Sequence, residues 1–472
     1  MPAEAPPIPA PGETRLPPVT PEPSKYVAPG LTFQSITERI SSIVLTPLTP
    51  LGWLGVFAFG GALLTLFTGV VVYLLVEGVG IWGINIPVAW GFAITNFVWW
   101  IGIGHAGTLI SAILLLLHQK WRTSINRIAE AMTIFAVMCA GLFPLLHMGR
   151  PWFFYFLLPY PNTMSLWPQF RSALVWDVFA VSTYFTVSVL FWYMGMIPDL
   201  ATLRDRAQGR LGRIGYGILC CGWCGSARHW KRFDMAYLLL GGLATPLVVS
   251  VHSVVSSDFA ITNLPGWHET VFPPYFVAGA IFSGFAMVLI LCIILRAYYG
   301  LHEFITDNHL EVMGRFMLAT SLLTSYGYLS EQFVAWYGGE PYDHYVYWNR
   351  IVGFEQYAAI CWSVFFCNTI APQVLWVASW RRKPWVLFLV SFIVLTGMWL
   401  ERFMIIVTSL HRDYLPSSWG MFLPTIWDYL TYLGSFGVFI VTFLLFLRFM
   451  PMISMSEMRG LLPGSLGHEE GR

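Results

Sequence analysis

"LLHMGRPWFFYFLLP", Leu145 to Pro159, decides how this chain is read. An apolar run stops at His147, passes a glycine, and gives Arg150, a proline and a row of aromatics. A carboxylate, Asp177, stands near the start of the next apolar run. Cations at a helix C-terminus are favourable by themselves, so His147 and Arg150 can be simple caps. With Asp177 and Asp258 expected at the same depth, the stretch predicts instead a polar pocket opening at the end of a membrane span.

Composition requires the membrane. Of 472 residues, 56% are hydrophobic and 11% charged, against roughly 25% charged in soluble domains. Such a chain cannot cover a water-facing surface of its own size. The net charge of +1, with basic residues scattered between apolar runs, argues against nucleic acid as a partner. Residues 1–30 are proline-rich and lack the apolar core of a secretory signal, so they read as a solvated tail. Phe33–Val44 is compatible with a short surface helix.

A helix needs about 20 apolar residues to cross a bilayer. Ten runs qualify: 52–79, 86–118, 127–147, 172–197, 234–257, 271–300, 311–338, 349–378, 384–411 and 424–450. They are too long, and alternate too little, for barrel strands. The fold expected is therefore an all-α polytopic membrane protein of ten transmembrane helices. Its lysines and arginines collect in alternate connections, including Arg204, Arg206, Arg210, Arg213, Arg228, Lys231 and Arg232 in one loop. The opposite connections hold Arg150, Arg171, Arg350 and Arg412. The positive-inside rule then predicts both termini in the cytoplasm.

Ionisable residues within spans are costly and usually face a cavity or a partner. On this topology His147, Asp177, His252, Asp258, Glu331, Glu355, Glu401 and Arg402 all fall toward the outer side. An imidazole near a carboxylate suits oxidation of a quinol, which releases two protons with its two electrons and needs a hydrogen-bond partner at each hydroxyl. The aromatics after Arg150 would line such a site. His105, in "GIGHAG", can be a packed core histidine, a lining residue of the redox site or a haem ligand. His118 follows thirteen residues later and falls on nearly the opposite helix face, which disfavours a stacked haem pair. Arg402 stays charged; Glu401 points about 100° away, so Asp177 or Asp258 is the expected partner. Asp234, Thr245, Ser250 and His252 run along the fifth span and form either a proton path, with Glu331 and Glu355, or ordinary hydrogen bonds. Of seven cysteines, only Cys220, Cys221 and Cys224 cluster, and no second pair completes a zinc or iron–sulfur site.

"GIGHAGTLISA", "LLHMGRPW", "SALVWDVFA" and "SVHSVVSSDFA" together resemble the NrfD/PsrC family of membrane subunits over roughly residues 50–450. Ten runs and a long N-terminal tail are most similar to the ActC type of bacterial alternative complex III. The resemblance implies two four-helix bundles, spans 2–5 and 6–9, with a flanking helix at each end. The segments are then a tail at 1–50, a first span at 51–85, a quinol-site bundle at 86–258, a second bundle at 259–411, a last span at 412–450 and a tail at 451–472. It implies menaquinol or ubiquinol as substrate, and no metal, haem or iron–sulfur cluster in this chain. The implied partners are a periplasmic iron–sulfur subunit, a sister membrane subunit of the same family and haem c subunits, all in a bacterial inner membrane. The site residues expected are His147 and Asp177 as catalytic groups, with His105, Arg150, Asp258 and Arg402 binding the quinol. The rival class is a secondary transporter, which Gly241, Gly242 and Pro246 in the fifth span would suit.

Overall fold

A computed structural model describes residues 26–158, 172–353 and 357–462. Among the described residues every regular element is helical, as expected where lipid leaves the backbone no hydrogen-bond partner but itself. The main helices are α1 (Phe33–Leu45), α2 (Leu51–Glu77), α3 (Gly91–Leu116), α4 (Asn126–His147), α5 (Ala173–Arg206), α6 (Arg210–Leu219) and α7 (Ala227–Ala260). They continue with α8 (Phe272–Tyr299), α9 (Asp307–Gly338), α10 (Pro341–Val352), α11 (Ala358–Phe365), α12 (Ala378–Arg381), α13 (Pro384–Leu410), α14 (Ile426–Phe449) and α15 (Met455–Gly460).

Nine helical segments among the described residues are long and apolar enough to cross a membrane. The remaining expected run falls on α9, a 32-residue helix whose Asp307, Glu311, Arg315 and Glu331 lower its hydropathy. The eighth run begins later than expected. Residues 341–352 form the separate helix α10, which stops at Gly353, and the span occupies 358–376. The expected run took in residues 349–352, the end of α10, whose Tyr342, Tyr345 and Trp348 are exposed. Within the span, α11 passes into a π turn at Phe366–Ile370 and then a tighter 3₁₀ stretch at Ala371–Trp376.

Helix α3 is the axle of the molecule, buried along nearly its whole length and packed on α4, α7, α8 and α13. Helices α3, α4, α5 and α7 close one group; α8, α9, the 358–376 span and α13 close another. Helix α2 pairs with α14 at the flank of α4. Close approaches depend on missing side chains, as is usual where lipid gives helices no hydrophobic drive to associate. A Cβ on Gly284 of α8 would lie 2.2 Å from Ala106 Cβ of α3, and one on Gly437 of α14 would lie 2.3 Å from the Leu64 nitrogen of α2.

Candidate functional site

Helix α4 ends on His147 because Pro144 removes a backbone donor in the last turn and Gly149, at φ +71°, turns the chain away. The His147 ring is half-buried and lies parallel to Trp82, 6.4 Å between centroids. Its Nδ1 is buried with no hydrogen-bond partner among the described residues. Trp82, in the connection from α2 to α3, is fixed by its indole N–H donating to Thr431 of α14 at 3.2 Å.

Asp177 sits in the second turn of α5 and Asp258 in the last turn of α7, both buried. Their side chains interact with each other across the α5–α7 contact. Their Oδ1 atoms have no hydrogen-bond partner among the described residues. Six residues back along α7, about 9 Å, His252 meets His105 of α3 edge to face at 4.5 Å. Both imidazoles are fully buried, and none of their four ring nitrogens has a hydrogen-bond partner among the described residues. Unsatisfied buried polar groups are expensive, which singles out this pair and the carboxyl pair as candidate site groups.

Arg402 of α13 lies as many residues from its helix end as His252 does from the end of α7, and its charge acts on that imidazole. The expected pairing of Arg402 with Asp177 or Asp258 gives way to a contact with Glu401, 2.9 Å from Nη1 to Oε1. That approach is close enough for an ion pair but lacks hydrogen-bond alignment, since both atoms stay unsatisfied by that criterion. Two adjacent long side chains fold together here because Gly279 of α8 leaves room, Arg402 Nη2 lying 3.1 Å from where a Cβ would stand. The guanidinium rests over the Phe276 ring at 4.1 Å. Glu401 in turn accepts from the Tyr328 hydroxyl at 2.5 Å and the Asn368 amide at 3.3 Å.

Other expected residues fall elsewhere. Arg150 is exposed at the start of the 3₁₀ stretch Pro151–Leu157, and Trp152, Phe154, Tyr155 and Phe156 point outward instead of lining a pocket. Glu331 accepts from Tyr347 at 2.7 Å and pairs with Arg350 at 3.2 Å. Arg350 is held further by Thr408 and Ser409, so this is a satisfied buried ion pair. Asp234 is half-buried eighteen positions before His252, roughly 27 Å along α7. Thr245 and Ser250 donate to carbonyls of their own helix. Glu355 lies outside the described residues. His118 is exposed beyond the end of α3 at φ +53°.

Sequence reasoning missed a second polar cluster, at the opposite end of the same helices. Arg127 pairs with Asp199 at 3.0 Å, both fully buried, and Arg122 pairs with Glu457 at 2.9 Å. Beside them Glu130 is buried in α4 with neither carboxyl oxygen hydrogen-bonded among the described residues. The signal was present: Arg127 and Glu130 lie three residues apart at the head of an apolar run. From there a series of buried hydroxyls leads toward His105. Thr133 and Tyr184 both donate to the Gly104 carbonyl, at 2.6 and 2.9 Å. Tyr184 also reaches Thr108 at 3.3 Å, and Thr108 reaches Ser188 at 3.2 Å. No group of three or more metal-ligating side chains occurs among the described residues.

The profile of the polysulphide reductase NrfD family matches residues 83–412, which contain His105, His147, Asp177, His252, Asp258, Glu401 and Arg402. A Halobacterium salinarum protein assigned as a dimethyl sulfoxide reductase membrane subunit is 26% identical over 371 residues, covering 76% of this chain and 78% of its own. A selenate reductase subunit of Mesobacillus selenatarsenatis is 20% identical over 390 residues, covering 77% and 86%. An Hdr-like menaquinol oxidoreductase integral membrane subunit of Archaeoglobus fulgidus is 21% identical over 222 residues, covering 47% and 46%. With most of its length matched, its helices long enough to span a bilayer and its buried ionisable groups gathered within the match, this chain belongs to the NrfD family of membrane subunits of oxidoreductase complexes.

Proposed function

We propose that this chain is the quinol-oxidising membrane subunit of a respiratory complex of the alternative complex III type. The observation that carries the reading is the burial of both Asp177 and Asp258 on the packed pair α5 and α7, at the end of the bundle where α4 finishes on His147. Oxidation of a quinol to the quinone sends out two electrons and two protons. His147, with Nδ1 unpaired, would hydrogen-bond one hydroxyl, and Asp177 would orient that imidazole or take its proton. Asp258, His252 and Arg402 would serve the second hydroxyl, with His105 behind them. Arg150 and the outward aromatics are then better placed to meet lipid or a partner than the substrate. Electrons would leave through an iron–sulfur subunit docked at this end, and onward to haem c subunits, beside a sister NrfD-like subunit.

In this reading α9 completes ten spans, the two closed groups of helices are the two four-helix bundles, and the His147 end faces the periplasm of a bacterial inner membrane. Both termini are then cytoplasmic, as the positive-inside rule favours. The test is quinol oxidation by the assembled complex carrying His147→Ala or Asp177→Asn. A loss of about 10²–10⁴-fold, the usual worth of a positioned acid–base group, is expected with assembly intact. Unchanged turnover would remove both residues from the site.

Proton movement across the membrane is a second reading, favoured by one specific arrangement: Glu130 at one end, the hydroxyls of Thr133, Tyr184 and Thr108, and then the His105–His252 pair. Proton-to-electron ratios of the complex in sealed liposomes decide it. A ratio above scalar release that falls to the scalar value in Glu130→Gln supports the path; a wild-type ratio equal to scalar release ends it.

A further inference from the structure

At the end opposite His147, the start of α2 and the ends of α8 and α14 converge beside α1 on a cavity of about 350 Å³. A single water takes up roughly 30 Å³, so the space suits a headgroup-sized molecule. Two guanidiniums, Arg39 and Arg448, stand in its wall with Ser42, Trp53, Tyr298 and Tyr299. Neutral oxygens fix both. Arg448 donates to the carbonyls of Val44 and Thr46 at 2.9 and 2.8 Å, and Arg39 to that of Tyr299 at 3.1 Å. Neither arginine has a carboxylate within ion-pair distance among the described residues.

Two uncompensated positive charges at one mouth call for an anion. An independent observation points the same way. The Trp53 side chain is 8% exposed and lines the cavity, yet its indole N–H has no acceptor among the described residues. A buried tryptophan N–H ordinarily finds one. Beyond the cavity, α2 presents Leu54, Val56 and Phe59 as an exposed apolar surface leading toward the middle of the membrane.

We propose that this cavity binds the phosphate headgroup of an anionic glycerophospholipid whose acyl chains lie along α2. Phosphate oxygens would accept from Arg39, Arg448 and the Trp53 indole, the donor chemistry that basic pockets between spans offer to anionic lipids. A zwitterionic lipid would bring an ammonium group for which the wall provides no carboxylate. A soluble phosphate would bring the charge without the chains. The proposal is independent of the quinol reading, since none of these residues belongs to that site.

The test uses the assembled complex, delipidated in detergent and titrated at fixed ionic strength with phosphatidylglycerol, phosphatidylcholine or glycerol 3-phosphate. Thermal midpoint and native-mass retention of lipid are the readouts. Phosphatidylglycerol is expected to raise the midpoint and to remain as a bound adduct. Arg39→Gln, an exposed position that leaves the fold intact, is expected to weaken it about tenfold, as loss of one charge-assisted hydrogen bond does. Arg39→Gln with Arg448→Gln should abolish the preference for phosphatidylglycerol, and Trp53→Phe should weaken retention while preserving the ring packing. Equal effects of phosphatidylcholine, reproduction of the shift by glycerol 3-phosphate, or undiminished phosphatidylglycerol binding in Arg39→Gln and Trp53→Phe would each overturn the proposal.

Discussion

Arg402 and Glu401 form a buried pair whose removal is predicted to be strongly non-additive. Both side chains are at most 2% exposed and touch at 2.9 Å. Replacing Arg402 by methionine keeps an unbranched apolar stem but deletes the guanidinium over Phe276 and the charge that offsets Glu401. Breaking one side of a buried pair typically costs about 3–5 kcal/mol, because the remaining charge stays buried without compensation. Here the Tyr328 and Asn368 hydrogen bonds to Glu401 persist, which places Arg402→Met toward the lower end, about 3 kcal/mol. Glu401→Gln alone should cost a similar amount, since it strands the guanidinium. The double variant leaves no charge to desolvate, so it should be destabilised by about 1–2 kcal/mol in total. The coupling from the cycle is then several kcal/mol. Reversible unfolding of the four proteins in mixed micelles measures it. Additive effects within about 0.5 kcal/mol would refute the pairing, and would mean that Arg402 is neutralised by something other than Glu401.

Two further outcomes follow from particular contacts. Glu269, in the connection between α7 and α8, is pushed up to about 7 from the ordinary 4.5, first by burial and then by Glu331 and Asp343 nearby. A raised acid must release its proton against the fold, so stability is full below about 4.5, declines as pH rises toward 7, and levels off above it. Glu269→Gln should flatten that decline in a pH series of thermal midpoints; an unchanged series would show that Glu269 titrates normally. Gly284→Ala would drive a methyl to 2.2 Å from Ala106 Cβ and part α3 from α8, costing about 1–3 kcal/mol. Adding Ala106→Gly should restore most of this in the same unfolding assay, and failure to do so would place the clash elsewhere.

Most of the helices were legible because lipid permits little else: long apolar runs, bounded by Gly, Pro and basic residues, agree with the observed helices to within a few residues over α2, α4, α8, α13 and α14. The eighth run was started nine residues early because Ile351 and Val352, at the end of α10, are as apolar as the span that follows. Within the site, His147, Asp177 and Asp258 could be placed at one depth from topology alone. The His105–His252 contact could not, because 147 positions separate the two and only packing brings their faces together. The partner of Arg402 was misjudged for a related reason. Helical wheel angles put Glu401 off to one side, but the space over Gly279 lets both long side chains bend into it. Glu130 was not singled out in the sequence, although it stands buried near the head of α4.

The succession of a π turn at Phe366–Ile370 and a 3₁₀ stretch at Ala371–Trp376 joins a slackly wound segment to a tightly wound one. The two depart from α-helical winding in opposite senses before the chain becomes extended at Val377. Arg381, in the separate helix α12, meets Glu311 of α9, while Asn368 within the π turn holds Tyr328 and Glu401. A local dislocation of the backbone thus delivers a carboxamide to the middle of the span, where an unbroken α-helix would carry it round to another face.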